Sequence, residues 1–159
     1  MKRLFILAVL ALAACNPLAS STPTPSASEQ EVVLMKAVKH YFQVFDQVRS
    51  TGNASLIDSV TDPDGVDRSN TQAFVLDQQA KHHLSITTHE IFTNWKFDIQ
   101  GTQATVHYNY QASGYNIDPQ TRQPLESEVT LKPELQLMQL RKHGADWLVF
   151  ERDVLPQNA

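Results

Sequence analysis

The chain has 159 residues and a formal charge of −4, from 13 basic and 17 acidic residues, with a single cysteine. That length suits one domain with a proper core and is short for two. An acidic balance without a basic cluster argues against nucleic acid as a partner, and one cysteine leaves no internal disulfide and no cysteine-ligated zinc.

Lys2 and Arg3 precede an apolar run from Leu4 to Ala14, well short of the ~20 residues of a membrane-spanning helix. A positive start, an apolar middle and small residues at the end are the layout of a secretory signal. Its last residues, Leu12-Ala13-Ala14-Cys15, resemble the lipobox of bacterial lipoproteins. The resemblance implies cleavage before Cys15, lipid attachment (palmitate among the acyl chains) at Cys15, and the membrane as a partner through that lipid. The expected location is the bacterial cell envelope: the outer membrane where the host has one, otherwise the outer face of the plasma membrane. Loss of Lys2 and Arg3 would take the basic residues from 13 to 11 against 17 acidic ones, and the charge from −4 to −6.

These landmarks divide the chain into a signal peptide over 1–14, a lipidated cysteine and linker over 15–28, a folded domain over 29–155 and a tail over 156–159. The linker interleaves Pro17, Pro23 and Pro25 with serines and threonines, a composition that favours extended polyproline II over a packed core.

From Glu29 to Ser50, Val33, Ala37, Tyr41, Val44 and Val48 recur at helical spacing, with Leu34, Val38 and Phe45 widening the stripe. Ser28 and Glu31 read as a capping box, and Gly52 as the stop. A short helix is expected from Asn53 to Val60. A third is expected from about Asn70 to Lys81, capped by Ser69 and Gln72, with Ala73, Phe74, Asp77 and Ala80 on one face. Beyond Leu84 the period becomes two. Leu84 to about Thr93 reads as a strand with a bulge near Ile91 and Phe92, and Trp95 to Tyr110 as a hairpin turning at Gly101. A polar loop is expected over Gly114 to Pro124. A strand from about Leu125 to Arg141, interrupted at Pro133, then turns at His143-Gly144-Ala145-Asp146 into a last strand over Trp147 to Val154.

Three helices followed by antiparallel strands give an α+β class. Gly101-Thr102-Gln103-Ala104-Thr105-Val106 and Gly144-Ala145-Asp146-Trp147-Leu148-Val149 resemble the turns into strands of the NTF2-like (SnoaL-like) cone, three helices packed on a bent antiparallel sheet. That family includes ketosteroid isomerases and SnoaL-type cyclases, whose enzymes place Asp, Tyr or His in an apolar cavity. Dimerisation through the sheet is common in it, although no residue here requires a homodimer.

By residue type, Tyr41, Asp77 and His107 are the catalytic candidates, since a Tyr-His-Asp set can polarise a carbonyl and move a proton. Tyrosines on apolar faces are more often core with a bonded hydroxyl. His82, His83 and His89 with Glu90 lack the spacing of a zinc site, and Asp62, Asp64 and Asp67 around Gly65 lack that of a calcium loop. No metal and no cofactor is therefore expected. Tyr115, Ile117 and Arg122, in the polar loop, are the candidates for contact with a ligand or partner. The expected function is a lipid-anchored cell-envelope protein whose non-catalytic NTF2-like domain binds a small apolar ligand or a protein partner. The alternative is a small isomerase, dehydratase or cyclase-like enzyme with a cavity site.

Overall fold

A computed structural model describes residues 27–156; Cys15, the signal segment and most of the linker lie outside the described residues. Helix α1 (Ala27–Thr51) comes first, then a 3-10 turn (Ala54–Ser59) and helix α2 (Val66–Ala80). Five strands follow: β1 (Leu84–Gln100), β2 (Gln103–Ile117), β3 (Val129–Thr130), β4 (Glu134–His143) and β5 (Asp146–Leu155). They form one antiparallel sheet in the order β1-β2-β4-β5, with the short β3 against the far end of β2.

Helix α1 buries Leu34, Val38, Tyr41, Phe42, Val44, Phe45 and Val48 against the sheet. The stripe is rotated from the expected one: Val33 is exposed and Phe42 replaces it at the centre. The helix stops where Gly52 takes φ +71°, a left-handed conformation that costs glycine little, and its N–H bonds the Val48 carbonyl at 2.8 Å. Its first turn already includes Ser28, which is therefore inside the helix and not its cap.

Helix α2 departs further from expectation. It starts at Val66, with Gly65 as N-cap, so Ser69 lies within it and bonds back to the Val66 carbonyl. Its buried face is Asp67, Thr71, Val75 and Gln78, spaced four, four and three residues apart. Ala73, Asp77 and Ala80 point to solvent. The inward face is mostly polar, so an apolar-stripe reading selects the wrong side.

Strand β1 runs without interruption and carries two register shifts, between Thr87 and His89 and between Thr93 and Lys96. Neither falls at Ile91 and Phe92. Each inserts one residue, and a one-residue insertion exchanges the faces of everything beyond it. Thr87 bonds a residue of α1, Glu90 then bonds a residue of β2, and Phe92 and, beyond the second shift, Trp95, Phe97 and Ile99 pack on the core. Strand β2 extends to Ile117, taking Gly114 to Ile117 out of the expected loop. The curved sheet and α1 enclose the core, in which Phe42 stacks on Tyr110 at 4.5 Å between centroids and Trp95 on Tyr108 at 5.1 Å.

Candidate functional site

The polar groups that the fold gathers inside this shell come from α1, the start of α2 and the end of β5. Strand β5 alternates normally through Trp147 and Val149, both buried. Its partners on β4 then run Leu140↔Val149 and Gln139↔Glu151, so Phe150 is an extra, unpaired residue. That bulge turns Glu151 toward Gln139, which donates to it at 2.9 Å, and sends Arg152 inward beside Met138. The Arg152 guanidinium lies over three α1 rings: Phe45 at 4.6 Å, Tyr41 at 5.6 Å and Phe42 at 5.7 Å. Such cation–π contacts gain strength where water is excluded.

Asp67, in the first turn of α2, is the counter-charge. One carboxylate oxygen is 3.8 Å from Arg152 Nε, and the other accepts the Tyr41 hydroxyl at 2.6 Å. Both Tyr41 and Asp67 are buried, and the helix N-terminus favours an acid at that position. Burial pushes the Asp67 carboxyl above its usual range, an effect that Arg152 and the Tyr41 bond only partly offset. Burial likewise pushes the Tyr41 phenol far up, so it stays protonated and donates. Arg152 stays charged in spite of its burial, with the Asp67 carboxylate beside it.

A second cluster lies farther along α1. Thr87 donates to Asp46 at 2.6 Å, Tyr110 donates to Glu90 at 2.6 Å, and Arg49 approaches Asp46 at 3.8 Å. Burial raises the Asp46 carboxyl. It raises Glu90 too, with the nearby Asp46 charge adding to the effect.

The sequence candidates do not converge. Tyr41 is in the first cluster. Asp77 is on the outer side of α2, paired with Lys81 at 2.7 Å. His107 stands on β2 opposite Lys96 and Leu137, alternating with the buried Val106 and Tyr108. Among the loop candidates, Ile117 is buried, a correction to its reading as an exposed contact: β2 runs to its position and it pairs with Leu84. Tyr115 is half-buried in the same strand. Arg122, exposed with φ +59°, donates to the Ser50 carbonyl and ties the loop to the end of α1. His82 and His83 fall in the turn after α2, and no cluster of three or more metal-ligating groups occurs among the described residues. Asp62 instead accepts from its own turn, the Asp64 N–H at 2.8 Å, and contacts His143 at 2.9 Å.

Arg152 and Asp67 were missed as a pair by sequence reasoning. The available signal was Glu151: unbroken alternation from Val149 would face that charge inward, and a bulge is the economical escape.

A long helix laid across a curved antiparallel sheet, with a second helix and a 3-10 turn closing one side, recurs in solved structures. The intermembrane-space region of the chloroplast protein ARC6 superposes with a TM-score of 0.61 at 13% identity, over 85% of this chain and 100% of that one. A Catenulispora acidiphila protein in complex with S-DNPA gives 0.58 at 8% identity, over 80% and 92%. A Nostoc punctiforme protein of unknown function with a cystatin-like fold gives 0.50 at 10% identity, over 81% and 91%. This chain has the NTF2-like cone fold. No family model and no curated protein matches its sequence. In NTF2-like terms, the space between α1 and the sheet is where a cavity would lie, and here Phe42, Phe92, Trp95, Tyr108 and Tyr110 stack through it.

Proposed function

We propose that this chain is a lipid-anchored protein of the bacterial cell envelope, attached through Cys15, whose NTF2-like domain is non-catalytic and docks a protein partner on its sheet. The observation that carries the non-catalytic reading is the closed interior. Tyr41 and Asp67 satisfy each other under Arg152, so neither offers an atom to a substrate, and the surrounding space is taken by rings. That same packing disfavours a small apolar ligand inside the cone. A recess of about 590 Å³ on the open side of the sheet, bordered by Trp95, His107 and Leu135, supports the partner reading. The anchor rests on Leu12-Ala13-Ala14-Cys15 and the apolar run before it.

Two measurements test this. Alkyne-tagged palmitate fed to the expressing cells should label the wild-type chain and not Cys15→Ala; equal labelling of both would remove the anchor. Xenon, which enters dry apolar cavities, should leave the amide resonances of Phe42, Trp95 and Tyr108 unmoved. Saturable shifts at those residues would reopen the cone to a ligand or substrate.

A further inference from the structure

Arg49, near the end of α1, is three-quarters buried and makes no hydrogen bond to any described residue. Its Nε is sealed from solvent without a partner. Its nearest counter-charge, Asp46, is 3.8 Å away and already accepts the Thr87 hydroxyl. A guanidinium has five donors, and leaving buried ones unspent is costly. Among the described residues Gln78 Oε1 is the other buried side-chain atom without a partner; of the two, Arg49 is the one that borders a groove, where an acceptor from elsewhere can reach its guanidinium.

The groove beside it shows what that acceptor must look like. It has a volume of about 240 Å³ and lies where the end of α1 meets the start of β1 and the end of β2; the Phe45 ring stands between it and the first cluster, with the Arg49 guanidinium 5.8 Å and the Arg152 guanidinium 4.6 Å from its centroid. Ala112, Val129 and Leu131 give it an apolar wall, and the last two are 53% and 51% exposed. Glu126 stands at its edge with one carboxylate oxygen accepting the Asn116 N–H at 3.2 Å, leaving the other oxygen uncommitted. Arg49 thus has Asp46 and Glu90 as neighbouring acids, and Glu126 borders the same groove. A free carboxylate entering here meets more negative charge than positive. A neutral group with one acceptor and one donor meets both of its partners.

We propose that this groove binds a neutral acylamide, a small molecule with an amide head and a short apolar chain. The amide oxygen accepts from the Arg49 guanidinium, the amide N–H donates to Glu126, and the chain lies on Val129 and Leu131. The volume falls just below the range typical of drug-sized ligands, which limits the chain to a few carbons. This site is independent of the partner surface on the sheet.

The test uses the full chain in detergent with labelled arginine side chains, and three six-carbon probes: hexanamide, hexanoate and hexylammonium. Hexanamide should shift the Arg49 Nε–H resonance saturably, and the two charged probes should bind about tenfold more weakly or worse. Arg49→Gln and, separately, Val129→Asp should each weaken hexanamide by about tenfold or more, read from the shifts of Ala112 and Leu131. Val129 is exposed, so that variant keeps the test valid even if the Arg49 substitution unfolds the chain. Hexanoate or hexylammonium binding as tightly as hexanamide would overturn the assignment. So would hexanamide binding that survives Val129→Asp, or an Arg49 resonance that no probe moves.

Discussion

The Phe150 carbonyl oxygen stands 2.5 Å from the point a Cβ on Gly65 would occupy, and the Phe150 Cα is 2.9 Å from it. Gly65 has φ −80°, which any residue tolerates, so the requirement for glycine is contact and not conformation. The contact seats the bulge that turns Arg152 inward, and the Asp62 N–H bond to the Val149 carbonyl fixes it from the neighbouring position. Gly65→Ala must push backbone against backbone, and is expected to cost about 2–4 kcal/mol. A urea unfolding midpoint equal to wild type would mean that the turn and the bulge are free to move apart.

The Asp67–Arg152 pair predicts a particular pattern in a double-mutant cycle. Arg152→Met keeps most of the side-chain volume over the three rings but leaves Asp67 as a buried charge without its cation, at about 3–5 kcal/mol. Adding Asp67→Asn removes that charge while preserving an acceptor for the Tyr41 hydroxyl. The double variant should therefore unfold at a higher urea concentration than Arg152→Met alone. Strictly additive losses would show that the two groups do not interact.

The parts of this fold legible in the sequence were those whose burial follows apolar periodicity. Helix α1, the β1–β2 hairpin at Gly101 and the final hairpin at Gly144 emerged because Val, Leu and aromatic residues mark one face. The bulges at Thr88, near Asn94 and at Phe150 were hidden, because an inserted residue changes the phase without changing composition. Helix α2 reads wrongly from apolar spacing because its inward residues Asp67, Thr71 and Gln78 are polar, with Asp67 bonded to Tyr41 and Gln78 to Ser85, while Leu76 is 65% exposed. Tyr41 could be chosen by type. Its partner could not, since Asp67 reaches it only through the turn at Gly65.

Two buried aspartates should respond to pH in opposite senses. Asp62 lies below its usual 3.8: burial alone would raise it, but the bonds from His143 and the Asp64 N–H and the charge of Arg141 outweigh that. Its contribution is present above 3.8 and is lost as pH falls through its lowered value. Asp67 lies above 3.8, chiefly through burial, so its contribution is greatest below 3.8 and declines as pH rises through its raised value. The stability lost in Asp62→Asn should shrink as pH falls from about 7 to about 3, and that lost in Asp67→Asn should grow over the same descent. Urea titrations of wild type and both variants at several pH values give these slopes, and parallel slopes would contradict the assignment.

Tyr115 and Ile117 are two residues apart, yet their truncations should differ sharply. Ile117 is 3% exposed and pairs with Leu84, whose side chain reaches within 3.2 Å of a Cβ position on Gly52 at the end of α1. Ile117→Ala should therefore open a cavity between strand and helix, at about 2–5 kcal/mol. Tyr115 is half-buried opposite Ile86, and its hydroxyl has no hydrogen-bond partner among the described residues. Tyr115→Ala should cost about 1 kcal/mol, the usual size of a point substitution that removes no buried core or polar partner. The comparison separates a strand that runs to Ile117 from a loop that begins at Gly114, because a loop would make the two losses equally small. Thermal or urea unfolding of both variants at one pH decides it.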